Sequence, residues 1–272
     1  MTSMALAPRT ALFLPASNPR AIAKARTLDC DMVILDLEDA VKPEDKDAAR
    51  EAAAAAATEG FGERIAAIRV NGVDAAEHGA DLAAAARSAA DLVVVPKVED
   101  AASTARIAAT LGKPLLAMIE TPAGVLAAAA IAAQPCVAGL IAGTNDLKAS
   151  LGIPSAAGRG GLSLALQTVV LAARAGNGWA LDGVFNALAD GEGLAAECRE
   201  GRALGFDGKT LIHPGQIAIA AEAFGATADE IADARALLAA AQGGAERFRD
   251  RMIEAMHVAQ ARLLLQRAGE TE

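Results

Sequence analysis

Short apolar runs alternate with longer alanine-rich amphipathic stretches along most of this 272-residue chain. Several of the short runs, such as DMVILDL and DLVVVP, are continuously apolar rather than alternating. Continuous apolar runs are typical of parallel strands that are buried on both faces. The pattern predicts strands at residues 11–14, 32–37, 65–70, 92–96, 115–119, 139–142, 181–185 and 210–212.

The stretches between these strands read as helices, because alanine has the highest helix propensity and Gly or Pro stands at the joints. The predicted helices are residues 46–57, 75–90, 99–111, 123–133, 162–175 and 191–204. About eight strand–helix repeats predict an α/β protein with a (β/α)8 TIM barrel, a fold of about 250 residues. A doubly wound open sheet is the alternative, and it is disfavoured because no G-x-G-x-x-G follows the first strand.

The pattern after Gly215 is helical to the end, with helices predicted at 226–241 and 250–266. This tail exceeds what a barrel needs. The sequence therefore predicts a barrel catalytic domain at 1–223 and an extra helical C-terminal segment at 224–272.

Composition narrows the possible partners and the compartment. A formal net charge of −9 argues against nucleic acid, which requires a basic face. The chain has no uncharged, unbroken apolar run of about 20 residues, so we expect no membrane segment. The three cysteines form no CxxC pair, which fits a reducing cytoplasm.

Polar residues follow almost every predicted strand, at the face where barrel active sites lie. These strand ends are Asp36–Asp39, Arg69–Gly72, Pro96–Glu99, Glu120–Pro122, Gly143–Asp146, Asp182 with Asn186, and Lys209 with His213. For Asp39, Glu99 and Thr121, loop solvation or helix capping is an equally good interpretation. Of the histidines, we interpret His78 and His257 as surface or packing residues, whereas His213 is a candidate for the site.

Glu120 and Asp146 directly follow consecutive apolar runs, so their carboxylates could meet at the barrel mouth. Two carboxylates without a His or Cys cluster suit Mg²⁺, which takes one or two carboxylates plus waters and substrate oxygens. Arg69, at another strand end, could hold a substrate carboxylate with two hydrogen bonds. Together they would form a receptor for a 2-oxo acid.

An ordered set of motifs extends over residues 9–220. It comprises LFLPAS, VILDLEDAVKPEDKDAAR, IRVNG, VVPKVE, AMIETPAGVL, LIAGTNDLKASLG, DGVFNALAD and GFDGKTLIHPGQI. In these motifs the chain resembles the citrate lyase β-subunit group of the HpcH/HpaI aldolase superfamily.

The resemblance implies specific roles. Glu120 and Asp146 would be the Mg²⁺ ligands, and Arg69 would be catalytic and bind substrate together with Glu120. Glu38 and Asp39 would be catalytic residues beside the metal waters, and Lys97 would be a substrate-binding neighbour. The resemblance also implies a homotrimer or hexamer, and a C-terminal lid at 224–272 that covers its own barrel or a neighbouring subunit.

Two departures from the family pattern concern the edges of the site. The usual Pro-Gly after the first strand is Pro15-Ala16 here, so this loop loses the glycine's freedom to take positive φ. The lid segment reads Arg249–Glu254, with Arg249 where some relatives carry an Asp that serves the neighbouring site. This substitution counts against a thioesterase activity of the malate-synthase type.

The expected reaction is retro-Claisen cleavage of a β-hydroxyacyl thioester of the citryl-, malyl- or citramalyl-CoA type. Asp39 or a metal-bound water would accept the hydroxyl proton. One alternative is a metal-dependent aldolase acting on free 4-hydroxy-2-oxo acids; that branch commonly has His where this chain has Asp39. Another is a citrate lyase β subunit that works only in a complex, on an acyl-carrier protein. A non-catalytic scaffold is disfavoured because Glu120, Asp146 and Arg69 are all present.

Overall fold

The computed structural model of the protein describes residues 6–154, 156–241 and 244–270. Residues 1–5, 155, 242–243 and 271–272, which the two predicted domains include, lie outside the described residues. Eight parallel strands close into a barrel in chain order, with the first paired to the last. They are β1 (Thr10–Pro15), β2 (Met32–Asp36), β3 (Ile65–Arg69), β4 (Leu92–Val95), β5 (Leu115–Ile119), β6 (Val137–Ala142), β7 (Trp179–Asp182) and β8 (Gly208–Leu211). The predicted TIM barrel is confirmed.

Helices follow the strands around the barrel. They are α1 (Pro19–Ala25), α2 (Lys46–Glu59), α3 (His78–Arg87), α4 (Ala101–Leu111), α5 (Pro122–Ala132), α6 (Thr144–Ser150), α7 (Ser163–Ala175), α8 (Gly191–Leu204) and α9 (Ile217–Phe224). The sequence did not predict α1 and α6, which have seven residues each. Both are too short for the apolar periodicity of a helix to be recognisable.

The barrel interior is filled by side chains from successive strands. One buried apolar cluster includes Met32, Val94, Met118 and Leu181 among residues from the first seven strands. β7 ends at Asp182, three residues before the end of the predicted strand 181–185. The apolar residues after Asp182 lie in a loop. One of them, Val184, lines a cavity at the mouth.

At the opposite end of the barrel, three aspartates directly precede β2, β4 and β8. We call Asp31, Asp91 and Asp207 the base aspartates. Each accepts a backbone N–H at the start of the preceding strand: Asp31 from Thr10 at 3.2 Å, Asp91 from Ala66 at 2.8 Å, and Asp207 from Ala180 at 2.9 Å. They tie neighbouring strands together where the ladder hydrogen bonds begin.

Residues 7–223 form one compact unit, and the chain from Phe224 onward belongs to a second. The second unit contains α10 (Ala228–Ala240), β9 (Glu246–Phe248), β10 (Arg251–Ile253) and α11 (Ala255–Arg267). Its own core includes Leu237, Phe248, Ile253 and Leu265.

The predicted extra C-terminal helices are confirmed as α10 and α11, but the prediction that the tail is purely helical is wrong. β9 and β10 form an antiparallel hairpin, and α11 begins at Ala255 rather than at 250. The hairpin turn has no glycine to mark it in the sequence, because Arg249 takes the positive φ of 53°. Among the described residues, no helix is both long enough and apolar enough to cross a membrane.

Candidate active site

A cavity of about 320 Å³ opens at the carboxyl ends of the barrel strands. Four of the predicted site residues line it: Asp39, Arg69, Glu120 and Asp146. The other two predicted site residues, Glu38 and Lys97, line a second, more polar cavity of about 450 Å³. Ion pairs from Glu38 to Arg69 and to Lys97 connect the two groups.

Glu120 directly follows β5 and is 2% exposed. Its Oε1 accepts the backbone N–H of Lys97 at 2.7 Å. Burial, together with the nearby charges of Glu38 and Asp146, raises the pKa of Glu120 to about 8. Its carboxylate thus lies among negative groups without enough positive charge to balance it.

Asp146 lies in the first turn of α6, not at the strand end itself. The backbone between β6 and α6 passes close to Glu120 at Gly143, where a Cβ atom would lie 2.5 Å from Oε2 of Glu120. Any side chain at this position would therefore displace the Glu120 carboxylate. The glycine lets the segment that carries Asp146 turn directly over Glu120.

This pair of carboxylates fits a magnesium ion. Within the described residues, no group of three or more His, Cys, Asp or Glu is arranged to hold a metal. A site with two protein carboxylates is typical of Mg²⁺, which keeps waters or substrate oxygens as its other ligands. A divalent cation would also offset the negative charge that raises the pKa of Glu120.

Arg69 ends β3 and is held in one orientation. Its Nε and Nη2 each donate to the Asp36 carboxylate at 2.6 Å. Nη1 lies 3.0 Å from Glu38 and 3.6 Å from Asp39, and the guanidinium stacks on Phe13 at 4.8 Å from the ring centre. Burial opposes the charge of Arg69, but the hydrogen bonds to Asp36 raise its pKa above the usual value.

Asp36 is a site residue that the sequence reasoning did not single out. It is 1% exposed, lines the cavity and pairs with Arg69 through both of its carboxylate oxygens. The strand register offered a signal, because Asp36 and Arg69 are the last residues of neighbouring strands and stand directly opposite each other. We infer that Asp36 fixes the direction in which Arg69 presents its remaining N–H groups.

Lys97 links the two carboxylates of Glu38 and Glu120. Its Nζ donates to Oε1 of Glu38 at 3.0 Å, and its backbone N–H donates to Oε1 of Glu120 at 2.7 Å. Lys97 also has a positive φ of 51°. Burial raises the pKa of Glu38 above its usual value, although Arg69 acts against this. A positive φ in a residue other than glycine costs energy and is often found at functional sites.

The remaining predicted residues have more ordinary surroundings. The Asp39 side chain is 66% exposed, whereas Thr121 caps α5 by accepting the N–H of Gly124. His213 is exposed, and its Nδ1 accepts the N–H of Gly215. His78 is buried and bonded to the carbonyl of Asn71.

Two strand-end charges expected at the mouth are not there. Asp182 and Lys209 are buried and pair with each other at 3.1 Å. Lys209 also pairs with Glu197 of α8 at 2.7 Å, so both side chains face the helix layer. The prediction was wrong because side chains alternate along a strand, and Leu181 is the one that points into the barrel.

Comparison with known proteins gives consistent matches over nearly the whole chain. Residues 9–214 match the model of the HpcH/HpaI aldolase/citrate lyase family. A (3S)-malyl-CoA thioesterase of Cereibacter sphaeroides is 42% identical over 96% of this chain and 94% of its own length. A citrate lyase subunit beta-like protein of Mycobacterium tuberculosis is 37% identical, over 95% of each chain.

Solved structures agree with these sequence matches. The crystal structure of CitE from Mycobacterium tuberculosis, in complex with magnesium, acetoacetate and coenzyme A, superposes with a TM-score of 0.84 at 36% identity. The match covers 98% of this chain and 99% of that one.

Proposed function

The chain belongs to the HpcH/HpaI aldolase/citrate lyase family, and on that premise we propose that it is a Mg²⁺-dependent carbon–carbon lyase. Its substrate is a β-hydroxyacyl thioester, which it cleaves to a 2-oxo acid and an acyl thioester. The main supporting observation is the pair of carboxylates, Glu120 and Asp146, in one cavity, where the negative surroundings of Glu120 raise its pKa to about 8. The related CitE structure, solved with magnesium, acetoacetate and coenzyme A, supports the cofactor and the ligand class.

Glu120 and Asp146 would hold the ion. When bound, Mg²⁺ supplies Lewis-acid polarisation of the substrate oxygens, which is worth several kcal/mol in typical metal sites. Arg69, oriented by Asp36, directs N–H groups toward the negative charge of the substrate. Lys97 places Glu120 through its backbone and Glu38 through its side chain.

The reaction needs one proton acceptor. We propose Asp39, which lines the cavity and is exposed enough to exchange its proton with solvent, with a water molecule as the alternative. The base removes the proton of the substrate hydroxyl, and the carbonyl of the 2-oxo acid forms. The bond between the carbinol carbon and the carbon next to the thioester breaks, and its electron pair becomes the thioester enolate. The enolate then takes up a proton.

Hydrolysis of the thioester is a second candidate, supported by the 42% identity to a malyl-CoA thioesterase. Against it stands the lid segment, where Arg249 takes the position at which some relatives carry an Asp, and its guanidinium pairs with Asp233 and stacks on Phe248. The same pair of carboxylates would also serve a metal-dependent aldolase acting on free hydroxy-oxo acids, or a subunit acting on an acyl-carrier protein.

An assay of product identity separates these candidates. Malyl-CoA, citramalyl-CoA and citryl-CoA are each incubated with enzyme and Mg²⁺, with EDTA as the control. A lyase yields acetyl-CoA and a 2-oxo acid, a thioesterase yields free CoA and the hydroxy acid, and an aldolase releases pyruvate from free 4-hydroxy-2-oxo acids. Inactivity on all three CoA esters, with activity on acyl-carrier thioesters after co-expression with partner subunits, would favour the complex. Full activity of Asp146→Ala would refute the magnesium site.

We also propose a cytoplasmic homotrimer or hexamer in which residues 224–272 act as a lid. The three free cysteines, of which Cys30 and Cys198 are buried, fit a reducing compartment. The separate core of the C-terminal unit fits a body that moves as a whole. Light scattering of the purified protein measures its molar mass in solution, and the mass of a monomer would contradict the proposed trimer or hexamer.

A further inference from the structure

Arg159 belongs to the segment that connects α6, which carries Asp146, to α7. Its side chain is 9% exposed and crosses to the end of β7. Nη1 and Nη2 donate to the two oxygens of Asp182 at 3.0 and 3.1 Å, and Nη1 also lies 3.1 Å from Glu197. This two-pronged contact is the strong geometry for a guanidinium and a carboxylate.

The contact belongs to a group of charges that is buried at its centre and reaches the surface at Glu200, whose side chain is 46% exposed. Arg159 and Lys209 face Asp182, Glu197 and Glu200, and both Asp182 and Lys209 are fully buried. Removing charges from water is costly, and such groups often stabilise a protein no better than apolar residues would. The proposed mechanism uses none of these side chains directly. Their arrangement therefore suggests a role other than stability.

Asp182 connects this group to the helix of the cation site. Its Oδ1 accepts the N–H of Gly183 at 2.8 Å. Gly183 lies against Thr144, the first residue of α6, so closely that a Cβ atom would be 2.5 Å from Oγ1 of Thr144. The N-terminal end of α6 therefore rests on the backbone that Asp182 holds in place.

The other end of α6 is connected through its loop. The N–H of Ile153 donates to the carbonyl of Lys148 at 2.9 Å, and Nζ of Lys148 donates to the carbonyl of Ala157 at 3.3 Å. Arg159 follows two residues later and is fastened to Asp182. One buried carboxylate thus fixes both ends of the helix that carries Asp146.

We propose that Arg159 is a positioning residue for the divalent cation site: its paired hydrogen bonds to Asp182 fix α6 and thereby the Asp146 carboxylate. This inference rests on the proposed function, because it assumes that Asp146 is a cation ligand. Residues that orient metal ligands typically contribute 10- to 100-fold in metal affinity or activity.

The removal of Arg159 should change the affinity for Mg²⁺ in opposite directions, depending on whether its charge or its positioning of α6 matters more. The group of Arg159, Lys209, Asp182, Glu197 and Glu200 has a net charge of −1 from two cations and three anions, and Arg159→Met makes it −2. An added negative charge near the site would, by electrostatics alone, strengthen Mg²⁺ binding. Loss of positioning weakens it.

The experiment is a calorimetric titration of the full-length protein with Mg²⁺, together with thermal melting. We expect about 10- to 100-fold weaker binding in Arg159→Met, and a kcat that excess Mg²⁺ largely restores. Arg159→Lys keeps the charge but loses the two-pronged contact, so we expect an intermediate affinity. Arg174→Met is the matched control, because it removes an arginine from the buried Asp207 at the opposite end of the barrel. Its melting temperature should fall without a change in Mg²⁺ affinity.

Unchanged or tighter Mg²⁺ binding by folded Arg159→Met would overturn the proposal while leaving the cation site intact. If that variant does not fold, Arg159→Lys decides, and wild-type affinity there would overturn it. Absence of Mg²⁺ binding by the wild-type protein would instead refute the proposed function itself.

Discussion

The two ends of the barrel use acidic residues in opposite ways. At the base, Asp31, Asp91 and Asp207 each accept hydrogen bonds from a neighbouring strand, and Arg174 neutralises Asp207 at 2.8 Å. At the mouth, burial without sufficient positive charge raises the pKa values of Glu38 and Glu120. The base carboxylates are satisfied within the protein, whereas Glu120 at the mouth is buried beside the negative charges of Glu38 and Asp146.

This difference separates structural from functional charge. A carboxylate whose hydrogen bonds all come from the protein contributes to stability and needs no ligand. A buried carboxylate with a raised pKa favours protonation or a bound cation. We therefore expect substitutions at the mouth to change metal binding and activity, and those at the base to change stability.

The largest effect is expected at the two carboxylates of the cation site. Glu120→Gln and Asp146→Ala should each lower kcat/KM by about 1000-fold or more, because several kcal/mol of Lewis-acid stabilisation would be lost. The melting temperature of Glu120→Gln without metal should not fall above pH 8, where the variant removes a buried charged carboxylate. Steady-state assays measure the activity, and thermal melting measures the stability. Wild-type activity in either variant would contradict the functional role that we assign to the carboxylates at the mouth.

The raised pKa of Glu120 makes Mg²⁺ binding depend on pH. Its folded pKa of about 8 lies above the ordinary 4.5, so a proton must leave before the ion can bind. Affinity should fall about tenfold per pH unit between pH 8 and pH 6, with about one proton released per ion. Without metal, the stability from the protonated form is full below pH 4.5 and is lost as the pH rises through about 8. Calorimetry in buffers of different ionisation enthalpy counts the protons; pH-independent binding would contradict the assignment.

A substitution at the base of the barrel should lower stability and leave Mg²⁺ binding unchanged. Asp207→Ala leaves the N–H of Ala180 and the guanidinium of Arg174 without this partner. We expect a loss of about 1–3 kcal/mol in the free energy of unfolding. Urea denaturation measures this loss, and the affinity for Mg²⁺ should stay at the wild-type value. A large loss of affinity would show that the base also shapes the site.

The smallest effect is expected at Lys97, where two variants distinguish the contribution of the backbone from that of the side chain. Lys97→Gly and Lys97→Ala both lose the contact with Glu38 and keep the N–H that reaches Glu120. Because the residue has a φ of 51°, the glycine variant should be more stable by about 1 kcal/mol. Equal stability of the two variants in urea denaturation would argue against backbone strain at this position. If KM for the acyl thioester rises by the same factor in both variants, the result would support the predicted substrate-binding role of the Lys97 ammonium group.

The sequence predicted the barrel because its buried strands, such as β2 and β5, are uninterrupted apolar runs. It also indicated Glu120, Asp146 and Arg69 as neighbours, since parallel strands end on one face. It could not indicate that Asp182 turns away from the mouth, because this depends on which face of β7 its side chain takes. The hairpin after Gly244 was missed because three-residue strands carry no recognisable pattern.

The proposed function depends above all on Glu120 and Asp146 binding one divalent ion together at the barrel mouth. The most decisive experiment is an anomalous difference map from crystals of the protein grown with Mn²⁺ and pyruvate. We predict a single strong peak coordinated by one oxygen from each carboxylate, with pyruvate completing the coordination and facing Arg69. A peak elsewhere, or an ion bound by only one of the two residues, would contradict the shared site.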